Sequence, residues 1–138
     1  MIAVFADAGY WIAMINPLEI LHLKAEAVSR TLGKAKLITT ELVLVELLNF
    51  YAAGGAHARA LAVRYVAQIR RNSSVDIISM DEPLFSRGYE LYASRLDKEW
   101  GMVDCVSFVV MKERGLFDAL AYDHHFQQAG YRALLRDG

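Results

Sequence analysis

Short apolar runs separated by helical segments are what most constrain the fold of this chain. Ile2–Phe5 (IAVF) is too short for a helix, ends at Asp7 and reads as a buried central strand. Lys36–Thr39, Val75–Met80, Ala119–Tyr122 and Tyr131–Leu135 read as further short strands. The segments between them have helical spacing. Ala8–Ile15 is stopped by Asn16-Pro17, because proline disfavours helix in the residue before it. Glu19–Leu32 ends at Gly33, a plausible C-cap. Thr40 caps a helix running to Ala53, where Gly54-Gly55 breaks it. His57–Arg71 is amphipathic, and Asp81 caps a helix to about Arg95 with Pro83 in its first turn. A loop over Leu96–Val103 precedes an apolar helix opened by Asp104 and closed at Gly115, and a turn covers His124–Gly130. Strands alternating with helices argue a three-layer α/β/α sandwich with a mostly parallel central sheet, one domain over residues 1–138.

Hydrophobic residues make up 55% of the chain and charged residues 22%, which argues against disorder. The apolar excess fits a small domain partly covered by a partner. A net charge of −1 is not the footprint of a protein held on nucleic acid by bulk positive charge. The lone cysteine, Cys105, can make no internal disulfide and reads as a small buried helix residue, which suits a reducing compartment. No apolar run reaches the roughly 18 residues of a membrane span, and MIAVFAD lacks the basic start of a signal peptide. A cytoplasmic protein is expected.

Asp7 and Asp123 each stand where a strand ends, and Asp104 stands where a helix begins. Each has an ordinary reading as a helix cap or turn residue. Glu46 is different, because LVLVELLNF is apolar nearly all round and should be buried. A carboxylate there must be paired, neutralised or metal-bound, unless it is exposed through a narrow polar stripe with Glu41. Asn49 follows one turn later on the same face. In a parallel sheet, ligands bind beyond the carboxyl ends of the strands, so these acids can meet at one edge. Four carboxylates in one pocket repel by roughly 4 kcal/mol per pair at about 4 Å and an effective dielectric near 20. Divalent cations relieve that repulsion. Oxygen ligands without a zinc-type Cys/His pattern point to Mg²⁺ or Mn²⁺, which activate water and clamp a phosphodiester.

The order Asp7, Glu46, Asp104, Asp123, set in FADAGYWIAMINP, ITTELVLVELLNF, WGMVDCVSFVVMKERG and ALAYDHHFQQAGY, resembles the PIN-domain nucleases. In detail the chain is similar to the VapC-like toxins of type II toxin–antitoxin systems. That resemblance covers nearly the whole chain. It implies a Mg²⁺- or Mn²⁺-dependent endoribonuclease acting on single-stranded or structured RNA. It also implies an inhibitory antitoxin partner and, commonly, a homodimer. Carried over, Asp7 and Asp104 would be the principal metal ligands, and Glu46 and Asp123 would complete the pocket directly or through water. The hydroxyl positions fall on Thr40 and Ser107, which would hold a ligand or a phosphate. Many relatives have Thr or Ser after the first Asp, where this chain has Ala8. Many also have a hydroxyl just before the third Asp, where it has Gly101 and Val103. The competing reading is a non-catalytic PIN-like module whose acidic cleft docks a partner. The Asp7-Ala8-Gly9 text lacks the second acid expected of an aspartyl-phosphate enzyme.

Arg59, Arg64, Arg70 and Arg71 share one expected helix, and Lys98 precedes the Asp104 helix. They are candidates for positioning phosphates, or a solvated helix face. Tyr10, Trp11 and Trp100 are expected to pack rather than to stack on bases. His124 and His125 are candidates to touch substrate.

Overall fold

The computed structural model describes residues 2–137; Met1 and Gly138, the ends of the expected domain, lie outside the described residues. Five strands form one sheet: β1 (Ala3–Ala6), β2 (Lys36–Thr40), β3 (Val75–Ile78), β4 (Asp118–Leu120) and β5 (Arg132–Ala133). Their order is β3-β2-β1-β4-β5, and every described pairing is parallel. Phe5 on the central strand pairs with Ile38 on one side and Ala119 on the other. The chain steps outward from β1 to β2 and β3, then returns to β4 on the far side of β1. The reversal lies between β1 and β4, and its carboxyl edge is where an open α/β sheet forms a ligand crevice.

Eight helices are described: α1 (Ala8–Ile15), α2 (His22–Leu32), α3 (Glu41–Phe50), α4 (Ala56–Arg71), α5 (Glu82–Ser94), α6 (Met102–Arg114), α7 (His124–Gln128) and α8 (Leu134–Asp137). Right-handed crossovers send the β1-to-β3 connections to one face and the β3-to-β5 connections to the other. The packing agrees, with α1 against α2 and α3, α3 against α4, and α6 against α5 and α7. Helix starts follow local chemistry. Thr40 Oγ1 accepts from Val43 N at 3.2 Å, and Asp81 Oδ1 accepts from Leu84 N at 2.9 Å. Gly115 closes α6 at φ 66°, ψ 33°, a left-handed conformation that favours glycine.

Several expectations need correction. The turn expected over His124–Gly130 contains α7, capped by Asp123, whose Oδ1 accepts from His125 N at 3.0 Å. The last strand is two residues long, and Leu134–Asp137 is helical, with α8 packed against α2 and β4. Residues 17–21 form turns, so α2 starts at His22 rather than Glu19. The Asp104 helix begins two residues early, at Met102, with Gly101 as its cap.

The core is densest where α6 and α7 meet the sheet. Phe126 is fully buried, 6.3 Å from the Phe5 ring and 5.0 Å edge-on to Phe108. Trp100 packs edge-on to Phe108 at 5.1 Å, and its Nε1 donates to Gln128 Oε1 at 2.9 Å. Burying such a ring contributes about 2 to 3 kcal/mol, which is how a five-residue α7 holds its place. Tyr10, Trp11 and Cys105 are buried as expected.

Gly88 marks the closest approach of α5 to α6. A Cβ there would lie 2.6 Å from Val106 Cγ2 and 3.2 Å from Met102 Cε. Gly88→Ala should therefore lose about 1 to 3 kcal/mol by overpacking, more than the roughly 1 kcal/mol that helix propensity returns. Urea unfolding checks this, and an unchanged or raised midpoint would show that α5 is free to shift.

Candidate active site

Asp7 follows the central strand directly and is held from both sides. Its N–H donates to Leu120 O of β4 at 3.1 Å, and Thr39 Oγ1 of β2 donates to the preceding carbonyl, Ala6 O, at 2.8 Å. The Asp7 backbone caps α1, but its side chain makes no capping bond. The residue is 9% exposed, and Oδ1 is buried with no hydrogen-bond partner. Burial pushes its pKa up to about 7, the field of Glu46 adds to that, and Asp104 and Asp123 contribute further; only the Ala8 N–H opposes them.

Asp104 lies on the third residue of α6. Its Oδ2 accepts from Gly101 N at 3.1 Å, half of a capping box, and lies 3.0 Å from His125 Nδ1. Desolvation raises its pKa and Asp123 adds to that, while His125 and the Gly101 N–H pull it down. The same His125 Nδ1 is 3.3 Å from Asp123 Oδ1, so one largely buried imidazole bridges two of the acids. Reading the residues in order missed this bridge. The only signal for it was a histidine two places after an acid that ends a strand.

Glu46 corrects an expectation. α3 buries only Val43, Leu44 and Leu47, while Val45, Leu48 and Phe50 stand exposed, and Glu46 opens to solvent at the cleft. An apolar helix face can be left uncovered, and here it is. The Glu46 carboxyl still sits above the ordinary glutamate value, through desolvation first and then Asp104 and Asp123. That desolvation reflects the crowded cleft wall rather than enclosure, since the residue itself is open.

The cleft measures about 480 Å³ and is lined by Asp7, Ala8, Gly9, Ile12, Glu46, Asn49, Phe50, Tyr122 and Asp123. Asn49 therefore stands beside Glu46 as its spacing suggested. Asp104 is not among the lining residues and joins the cleft through the His125 bridge to Asp123. Thr40 and Ser107 do not line it either. Both are fully buried, Thr40 as the α3 cap and Ser107 with Oγ donating to Val103 O at 2.8 Å. Phe50 and Tyr122 line the cleft, and their spacing alone did not mark them. Arg59, Arg64, Arg70 and Arg71 lie exposed on α4, outside this lining. The larger groove beside Trp100, about 530 Å³, is lined by none of the four acids.

The donors suit a hard divalent cation. Carboxylates from four elements feel one another's charge, and one oxygen is buried without a partner. Among the described residues, Asp123, His124 and His125 bring one ligand-type atom each within 4.8 Å of one another, and no group of three that includes Asp7, Glu46 or Asp104 is drawn that close. His125 is already engaged by Asp104, which leaves the carboxylates as the better donors.

A parallel α/β sheet with an acidic cleft at its reversal point defines the class. A model of the PIN domain matches residues 4–130, and the chain belongs to that family. Among characterised relatives it is similar to the 23S rRNA-specific endonuclease VapC20 of two Mycobacterium tuberculosis strains. The identity is 27% over 128 residues, covering 93% of this chain and 95% of the relative. Among solved structures it is similar to M. tuberculosis VapC20, described as a sarcin–ricin loop cleaving toxin. That match has a TM-score of 0.84 and 25% identity, and covers 94% of this chain and 97% of the other.

The buried Asp7 makes a pH prediction. Its carboxyl ionises at an ordinary 3.8 when unfolded and near 7 in the fold. The native state thus holds the extra proton between those values, and stability falls as pH rises through that window, by about 4 kcal/mol in total. In metal-free protein, Asp7→Asn should be the more stable form at pH 8, with the advantage shrinking toward pH 4. Melts in EDTA across pH test this; a pH-independent gap would refute burial as the cause.

Proposed function

We propose that this protein is a divalent-metal-dependent endoribonuclease, the toxin of a toxin–antitoxin pair. The observation that carries the reading is the unpartnered Asp7 oxygen, buried within the fields of Glu46, Asp104 and Asp123. A docking module has no use for a carboxylate whose pKa burial and three neighbouring acids push up to about 7. When bound, a Mg²⁺ or Mn²⁺ ion supplies charge neutralisation and an activated water for phosphodiester hydrolysis. Asp7 and Asp104 would hold it, with Glu46 and Asp123 completing the set directly or through water. His125 orients Asp104 and Asp123, Asn49 stands beside Glu46, and Thr40 and Ser107 support the site by holding α3 and α6. Two VapC20 relatives named for 23S rRNA cleavage make ribosomal RNA the first substrate to try.

The partners follow from the same reading. Leu18, Ile20 and Leu23 are 92%, 94% and 76% exposed, and with Val45 and Leu48 they leave apolar surface that suits an antitoxin or a second copy. No described helix is long and apolar enough to cross a membrane. We read residues 1–138 as one domain, since the five strands share one sheet, and place it in the cytoplasm with its RNA substrate.

The test pairs wild type with Asp104→Asn on ribosomal RNA in Mg²⁺, Mn²⁺ and EDTA. Discrete cuts are expected from wild type with metal, with activity reduced at least a hundredfold in the variant and abolished by EDTA. Metal-independent cutting, or an Asp104→Asn protein as active as wild type, would sink the reading. Folded protein that cuts nothing would favour the docking module.

A further inference from the structure

The cleft carries acids and its lining contains no lysine or arginine, so the lining itself offers phosphates no cation. It does contain two large exposed aromatic rings, Phe50 at 57% and Tyr122 at 48% exposure. Phe50 lies one turn beyond Glu46 on α3, and Tyr122 directly precedes Asp123. The two rings therefore belong to different elements that both carry acids of the site.

Both rings are braced. The Phe50 ring meets Tyr51 edge-on at 5.1 Å. The Arg136 guanidinium sits 4.9 Å from the centre of the Tyr122 ring, and its Nη1 donates to Tyr122 O at 3.0 Å. A ring held by one neighbour and open to the cleft is ready to stack at little entropic cost. Every nucleobase offers a π-face, and stacking on aromatic side chains is tolerant of sequence.

We propose that Phe50 and Tyr122 form a stacking pair that holds unpaired bases flanking the scissile phosphate. The inference rests on the nuclease reading and names two base-positioning residues of the same site. Bases in a duplex are already stacked on one another, so a paired strand would have to be opened first.

The test uses the full chain carrying Asp104→Asn, which the nuclease reading expects to bind RNA without cutting it. A single-stranded oligoribonucleotide containing 2-aminopurine is titrated in Mg²⁺ at several salt concentrations, alongside its duplex form. Adding Phe50→Ala or Tyr122→Ala should weaken binding about tenfold each and abolish the fluorescence change. The salt dependence should stay the same, because no ionic contact is removed. Phe50→Tyr and Tyr122→Phe should bind like the parent, and the duplex should bind more weakly than the single strand. Alanine variants that fold and bind like the parent would overturn the inference while leaving the nuclease intact, as would equal binding of duplex. Unchanged RNA binding with lost self-association would assign the rings to a protein interface. If the protein without Asp104→Asn cuts no RNA with either metal, the nuclease reading falls, and this inference with it.

Discussion

The site depends on one unfavourable placement, a carboxylate at the end of the central strand with an oxygen that reaches no donor. Asp7 cannot move away, because β2 and β4 both hold the backbone around it. Total stability for a domain of this size is about 5 to 15 kcal/mol, so a strain of several kcal/mol is a large fraction of it. Such a group persists where something outside the chain relieves it. Three further carboxylates around it raise the repulsion instead, which leaves a cation as the natural complement.

The surrounding fold positions the other acids to the same end. Asp104 and Asp123 ride on α6 and α7, and both helices are fixed through Phe126 and Phe108 in the densest part of the core. His125 then ties the two carboxylates together. Holding ligands on rigid elements and orienting them through a second layer of contacts is how metal sites gain precision. Glu46 comes from the opposite wall on α3, a helix that keeps much of its apolar surface uncovered.

Much of this was legible in the residues. Runs such as IAVF and KLIT allow few conformations other than buried strands, and acids at their ends fall at the sheet edge by topology alone. The caps Thr40 and Asp81 carry their own chemistry, and both form as expected. What stayed hidden depends on the tertiary arrangement. An apolar helix does not say whether neighbours cover all its faces, so Glu46 was placed too deep. The five residues of α7 are too few to show a period, and β5 is cut short by the packing of α8. The His125 bridge and the Phe50–Tyr122 pair join segments far apart in sequence, which no spacing rule reaches.

The central claim is that these four carboxylates form a divalent cation site, and calorimetric titration of metal-free protein with Mn²⁺ tests it most directly. The account predicts saturable binding to wild type that strengthens between pH 6 and pH 8 as protons cease to compete for Asp7, whose pKa lies near 7. It predicts at least a tenfold loss of affinity in Asp7→Asn. Absence of binding at pH 8, or equal binding by folded Asp7→Asn, would contradict it.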